Sequence, residues 1–111
     1  MLTKKQLEDL KNNCNDWLEI SCTKGLSEKF IRENANKVYW DYISKYQKLS
    51  EKFIRDFFNK VNWRLISIYQ KLSEEFIIEF SAFVDWGALT YSQKLSPEFI
   101  TMFKLDLKDE L

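Results

Sequence analysis

Across residues 72–94 the apolar side chains Phe76, Ile77, Phe80 and Phe83 recur at steps of three and four, with polar residues between them. That spacing gathers them on one face of a helix. Val84 and Asp85 interrupt the pattern, and Trp86 with Leu89 opens a second set. The segment therefore predicts two short helices joined by a tight turn. The same layout fills the chain: Trp17, Trp40, Trp63 and Trp86 stand 23 residues apart. The phrase LSEKFI at Leu26 returns unchanged at Leu49, as LSEEFI at Leu72 and as LSPEFI at Leu95. Self-similarity at a fixed period of this length marks a repeat array.

Helix ends are legible too. Ser27, Ser50, Ser73 and Ser96 precede the first helix of each unit, where a serine oxygen can accept a free backbone N–H of the first turn. Pro97 follows Ser96 and suits a first helical position, since its missing N–H costs nothing there. The residue before each Trp is Asp16, Tyr39, Asn62 or Asp85, and three of these four are good caps. Each repeat is expected to hold a helix A of about ten residues and a helix B of about eight. Helices this short are marginal alone. Stability then comes from stacking one unit on the next.

The expected fold is all-α: a short superhelical α-solenoid of about four 23-residue helix-turn-helix repeats with capping helices. Nine helices are predicted, near 3–13, 17–23, 28–37, 40–47, 51–60, 63–70, 74–83, 86–93 and 97–107. They make one domain over 1–111, with an N-terminal cap at 1–14, repeats over about 15–94 and a C-terminal cap at 95–111. The expected core is Trp17, Phe30, Trp40, Ile43, Phe53, Trp63, Ile66, Phe76, Phe80, Trp86, Leu89 and Phe99. A β-solenoid is excluded by the scarcity of glycine and by the helical spacing.

Charge adds an asymmetry that the repeat hides. The chain carries 17 basic and 17 acidic side chains, yet residues 24–71 hold 11 of the former against 5 of the latter. Residues 72–111 hold 3 against 8. A basic middle offered to an acidic partner, and head-to-tail self-association, both fit this division. No apolar run approaches the roughly 18 residues that cross a bilayer. The first residues lack the apolar stretch of a leader. A soluble cytoplasmic protein is the resulting expectation.

The unit DW..IS..Q.LSE.FI..F...V, seen here as YWDYISKYQKLSEKFIRDFFNKVNWRLISIYQKLSEEFIIEFSAFVDW, resembles a repeat of uncharacterised proteins from large DNA viruses and from bacteriophages of low-GC hosts. The likeness covers about residues 14–104, with departures at Gly25, Gly87 and Ser92. It implies a small viral or phage protein that binds something in its host, at work in the host cytoplasm. It transfers no activity.

Candidate chemistry is sparse. The chain has no histidine, which removes Ser-His and Cys-His pairs and the usual zinc sets. Cys14 and Cys22 match no metal or redox spacing. The single glycines Gly25 and Gly87 build no phosphate loop. The expectation is a non-enzyme without cofactor or metal. Function should lie where repeats differ: Arg32 and Arg55 align with Ile78 and Thr101, Tyr42 with Leu65 and Ala88, and Lys45 with Ile68 and Tyr91. The candidate partner-binding residues are Arg32, Tyr42, Arg55, Phe58, Arg64, Leu65, Ile68, Ile78 and Tyr91. The leading expectation is a protein-binding module, such as a viral effector that inhibits a host defence nuclease or, more narrowly, an anti-CRISPR protein. The alternatives are nucleic-acid binding through 24–71, using Arg32, Lys37, Lys45, Lys48, Arg55, Lys60 and Arg64, and structural self-assembly.

Overall fold

The computed structural model describes residues 1–102, and every regular element among them is an α-helix. In chain order these are α1 (Lys4–Asn13), α2 (Trp17–Cys22), α3 (Glu28–Glu33), α4 (Trp40–Tyr46), α5 (Glu51–Asp56), α6 (Trp63–Tyr69), α7 (Glu74–Glu79) and α8 (Trp86–Ser92). A ninth, α9, opens at residue 97 and runs through residue 102. The chain is a short helical repeat array. Odd-numbered helices from α3 onward are the A helices and even-numbered ones the B helices. The predicted continuation of α9 to 107 lies outside the described residues.

Two compact units divide the array after Asn62. The first contains α1–α5, with α2 packed on α4. The second contains α6–α9, with α6 packed on α8.

The serines act as the sequence predicts. Ser27, Ser50, Ser73 and Ser96 accept from the backbone N–H of Phe30, Phe53, Phe76 and Phe99 at 3.1–3.2 Å. Asp16 and Asp85 cap α2 and α8 in the same manner. Tyr39 makes no side-chain cap to α4. At the N-terminus, Thr3 and Gln6 form a reciprocal capping box that starts α1.

The A helices are shorter than the sequence predicts. Each α-helical stretch ends after six residues, at Glu33, Asp56 and Glu79. At the next residue (Asn34, Phe57 or Phe80) the backbone swings to φ between −120° and −109° and ψ of 28–31°. A turn follows, in which Lys37 and Val38 donate back to the Asn34 carbonyl at 2.9 and 3.1 Å. The cause is tertiary. In the first unit the chain must bring the Tyr39 N–H to the Ser21 hydroxyl, 2.9 Å away. That anchor fixes where helix A has to stop, against its own propensity.

Ile20, Ile43, Ile66 and Leu89, all on B helices, are fully buried, as are Ile31, Ile54 and Ile77 on A helices. Phe30, Phe53, Phe76, Phe80 and Phe99 are buried with them. The four tryptophans are half-buried instead of enclosed. Each lays its ring on the buried Phe of the following A helix, at 6.1–6.2 Å between centroids. The indole N–H groups of Trp40 and Trp86 donate to the Ala35 and Ser81 carbonyls of the preceding turn at 3.1 Å.

Candidate functional site: the outer faces of the repeats

Which side chains are left for a partner depends on which ones the scaffold consumes. Ser21, Ser44 and Ser67 are fully buried. Each hydroxyl donates to the carbonyl four residues back, at Trp17, Trp40 or Trp63. Each also accepts a backbone N–H of the next repeat, from Tyr39, Asn62 or Asp85 at 2.9–3.0 Å. One small side chain thus bonds within its own helix and anchors the segment that starts the next B helix.

Glutamine supplies a second tie. The Gln47 amide donates to the Ser21 and Thr23 carbonyls at 3.0 and 2.7 Å and accepts from Leu26 N–H at 3.2 Å. Gln93 repeats this toward Ser67, Gln70 and Leu72. Glutamate supplies a third. Glu28 accepts from the Ser50 N–H and hydroxyl at 2.7 and 3.0 Å, and Glu74 accepts from the same groups of Ser96 at 2.5 and 2.9 Å. The polar letters of the repeat phrase (S, Q and E) are therefore ties between repeats. No buried side-chain N or O among the described residues lacks a partner.

What remains outside differs between the two units. On the first, Tyr39, Tyr42 and Tyr46 form a ladder along α4, with ring centroids 6.5 and 6.2 Å apart and the last two rings parallel within 4°. The Lys45 ammonium lies 5.1 Å over the Tyr46 ring. On the second, Arg64, Ile68, Asp85, Gly87, Ala88, Tyr91 and Ser92 line an open groove between α6 and α8. Gly87 and Ala88 in this groove are small residues at positions that hold Arg64 and Leu65 one repeat earlier and Asp41 and Tyr42 on α4, two repeats earlier. Tyr91 is 94% exposed beside it.

The nine predicted contact residues do not share one kind of surface. Arg32, Arg55 and Phe58 stand on or just after A helices of the first unit, while Tyr42 lies on a B helix. Arg32 is already engaged: its guanidinium pairs with Asp56 at 2.9 Å and covers the Phe53 and Phe57 rings at 5.0 and 5.4 Å. Hydrogen bonds from Arg32 first, and then from Lys52, hold the Asp56 carboxyl below its usual range. In the second unit Arg64, Ile68 and Tyr91 meet at the groove. Leu65 is half-buried, and Ile78 is exposed on α7. Tyr39, Tyr46, Tyr69 and Phe83 are outward aromatics outside the predicted set. Tyr46 and Tyr69 extend the apolar face of helix B in sequence, yet stand at its solvent edge.

Beyond these faces the chemistry is thin. Cys14 and Cys22 are free, half-buried thiols. Among the described residues no three Cys, Asp or Glu side chains gather as a metal-holding group. No described helix is long and apolar enough to cross a membrane. A second open groove, between α1 and α3, has a rim of mixed charge from Lys4, Glu8, Lys11, Lys29 and Glu33. Comparison with protein-family models, with curated proteins and with solved structures returned no match.

Proposed function

We propose that this chain is a non-enzymatic protein-binding module that docks a partner through the outward sides of its B helices. One observation carries the reading. The residues that recur in phase are engaged between repeats, while large apolar and aromatic side chains stand exposed where the repeats differ. Tyr39 and Tyr46, with half-buried Tyr42 between them, are such a set on the first unit, and Ile68 and Tyr91 beside Arg64 are another on the second. Tyrosine and arginine around an apolar centre are the residues that dominate protein interfaces. Contiguous exposed apolar surface is otherwise scarce on soluble monomers.

The finer setting, a phage or viral effector that blocks a host protein in the host cytoplasm, draws its support from the resemblance of the repeat phrase. Nucleic-acid binding is the second reading. It is favoured by the exposed Lys29, Lys37, Lys52 and Lys60 of the first unit. Retention of oligonucleotides falling steeply with salt is its signature.

Affinity capture from host lysate, with nuclease added, tests the leading reading. Tyr42→Ser with Tyr46→Ser, and separately Ile68→Ser with Tyr91→Ser, should keep the helical signal and Tm while at least one pair loses capture. Capture that survives both pairs, or that vanishes with nuclease treatment, rejects docking of a protein on the B helices.

A further inference from the structure

One exposed position of the A helices changes sign from one unit to the other while keeping the repeat register. Lys29 on α3 and Lys52 on α5 are exposed on the first unit, and one repeat separates them. The same position of the repeat holds Glu75 on α7 and Glu98 on α9, both exposed, again one repeat apart. Eight residues further along, Lys37 and Lys60 give way to Phe83, which is 47% exposed. Where Arg32 and Arg55 stand in the first unit, Ile78 (44% exposed) and Thr101 stand in the second. Residues 1–62 carry 12 Lys/Arg against 9 Asp/Glu, and residues 63–111 carry 5 against 8.

The ties between repeats are missing from three outlying positions. The glutamate that holds the next serine (Glu28, Glu51 or Glu74 by position) is Pro97 in the last copy. The buried serine becomes Thr90, whose hydroxyl turns to the Gly87 carbonyl at 2.7 Å. The tying glutamine, Gln47 by position, is Lys24 in the first copy. The polar ties that join repeats are therefore not offered to a second copy at Lys24, Thr90 and Pro97.

We propose that the A-helix edge is a self-association surface, on which the basic ridge of one copy's first unit pairs with the acidic ridge of a second copy's second unit. The occupant is a second copy because this chain presents both halves of the match. Lys29 and Lys52 are exposed at the same one-repeat spacing as Glu75 and Glu98, and Lys52 would exchange its exposed partner Asp56, at 3.1 Å, for a carboxylate of the second copy, so both pairs can form in one register. A polyanion would meet the basic ridge but be repelled by the acidic one. Phe83 and Ile78 supply apolar contact among the carboxylates, against the aliphatic stems of the facing lysines.

The test is mass in solution, by sedimentation or light scattering, from about 10 µM to 1 mM protein in low salt and in about 0.3 M salt, where exposed charges are largely screened. Association at low salt that weakens at least about tenfold at high salt is the expected result. The double variants Lys29→Glu/Lys52→Glu and Glu75→Lys/Glu98→Lys should each be monomeric with unchanged circular dichroism, and their mixture should associate again. A wild-type chain that stays monomeric at low salt overturns the proposal. So does association indifferent to both reversals, or a basic ridge that retains an oligonucleotide more tightly than it retains a second copy. Tyr42→Ser/Tyr46→Ser leaves the A-helix edge intact, so its effect on partner capture is read separately from self-association.

Discussion

At the residue scale, the smallest side chains hold the most consequential positions. Ser44 is fully buried, and its hydroxyl bonds the Trp40 carbonyl at 2.7 Å and the Asn62 N–H at 2.9 Å. Alanine there strands a part-buried backbone N–H, a loss of about 1–3 kcal/mol. Ser50→Ala removes a cap at a more exposed place, a loss of about 0.5–2 kcal/mol. Urea melts should therefore rank Ser44→Ala as the more damaging of the two. Asp56 provides a pH test. Its folded-state pKa is lowered by Arg32 and Lys52. The stabilisation is fully present above the ordinary aspartate value of about 3.9 and fades as pH falls through the lower folded value. The stability gap between wild type and Asp56→Asn should thus be constant near neutral pH and close only under strongly acid conditions.

At the scale of elements, periodicity revealed the number, type and starting points of the helices, because caps and apolar steps are local signals. Ser27, Ser50, Ser73 and Ser96 were legible for that reason. The early end of helix A was not. It is dictated by the Ser21–Tyr39 bond between repeats, which leaves no trace in the amphipathic pattern of residues 28–37. The tryptophans mislead in a related way. Recurrence marked them as core, but Trp40 is half-buried against Phe53 and Phe57, whereas Phe53 itself is fully enclosed. Phe53→Ala should cost about 3–5 kcal/mol, a large part of the stability of a small domain. Trp40→Ala leaves a gap that water can reach and should cost less. Equilibrium melts of the two variants give the order directly; a reversed order would make the tryptophan the true packing centre.

For the molecule as a whole, the phrase S..Q.LSE reads as a set of ties that each repeat offers to the next, whereas sequence alone offered no way to see that serine and glutamine were the coupling elements. The outward site was only partly legible. Comparing repeats picked out Tyr42, Ile68 and Tyr91, yet the Tyr39–Tyr46 ladder depends on side-chain directions that a repeat comparison does not contain. If the ties are modular, the array can be lengthened from within. Residues 27–49 form one period, and a second copy inserted after Leu49 restores the same junction, since Ser27 and Ser50 both follow a leucine. The insert carries its own Ser44, Gln47 and Glu28, and so brings a complete set of ties to its neighbours. Nearest-neighbour coupling then predicts a longer helical signal and a Tm equal to or above that of the parent. The same insert with Ser44→Ala and Gln47→Ala in the added copy should fold with a lower Tm, because the two junctions lose their buried hydrogen bonds while the apolar packing is unchanged. Equal melting of the two lengthened chains would mean that aromatic and aliphatic stacking alone joins the repeats, and that the recurrent serine and glutamine are there for another reason.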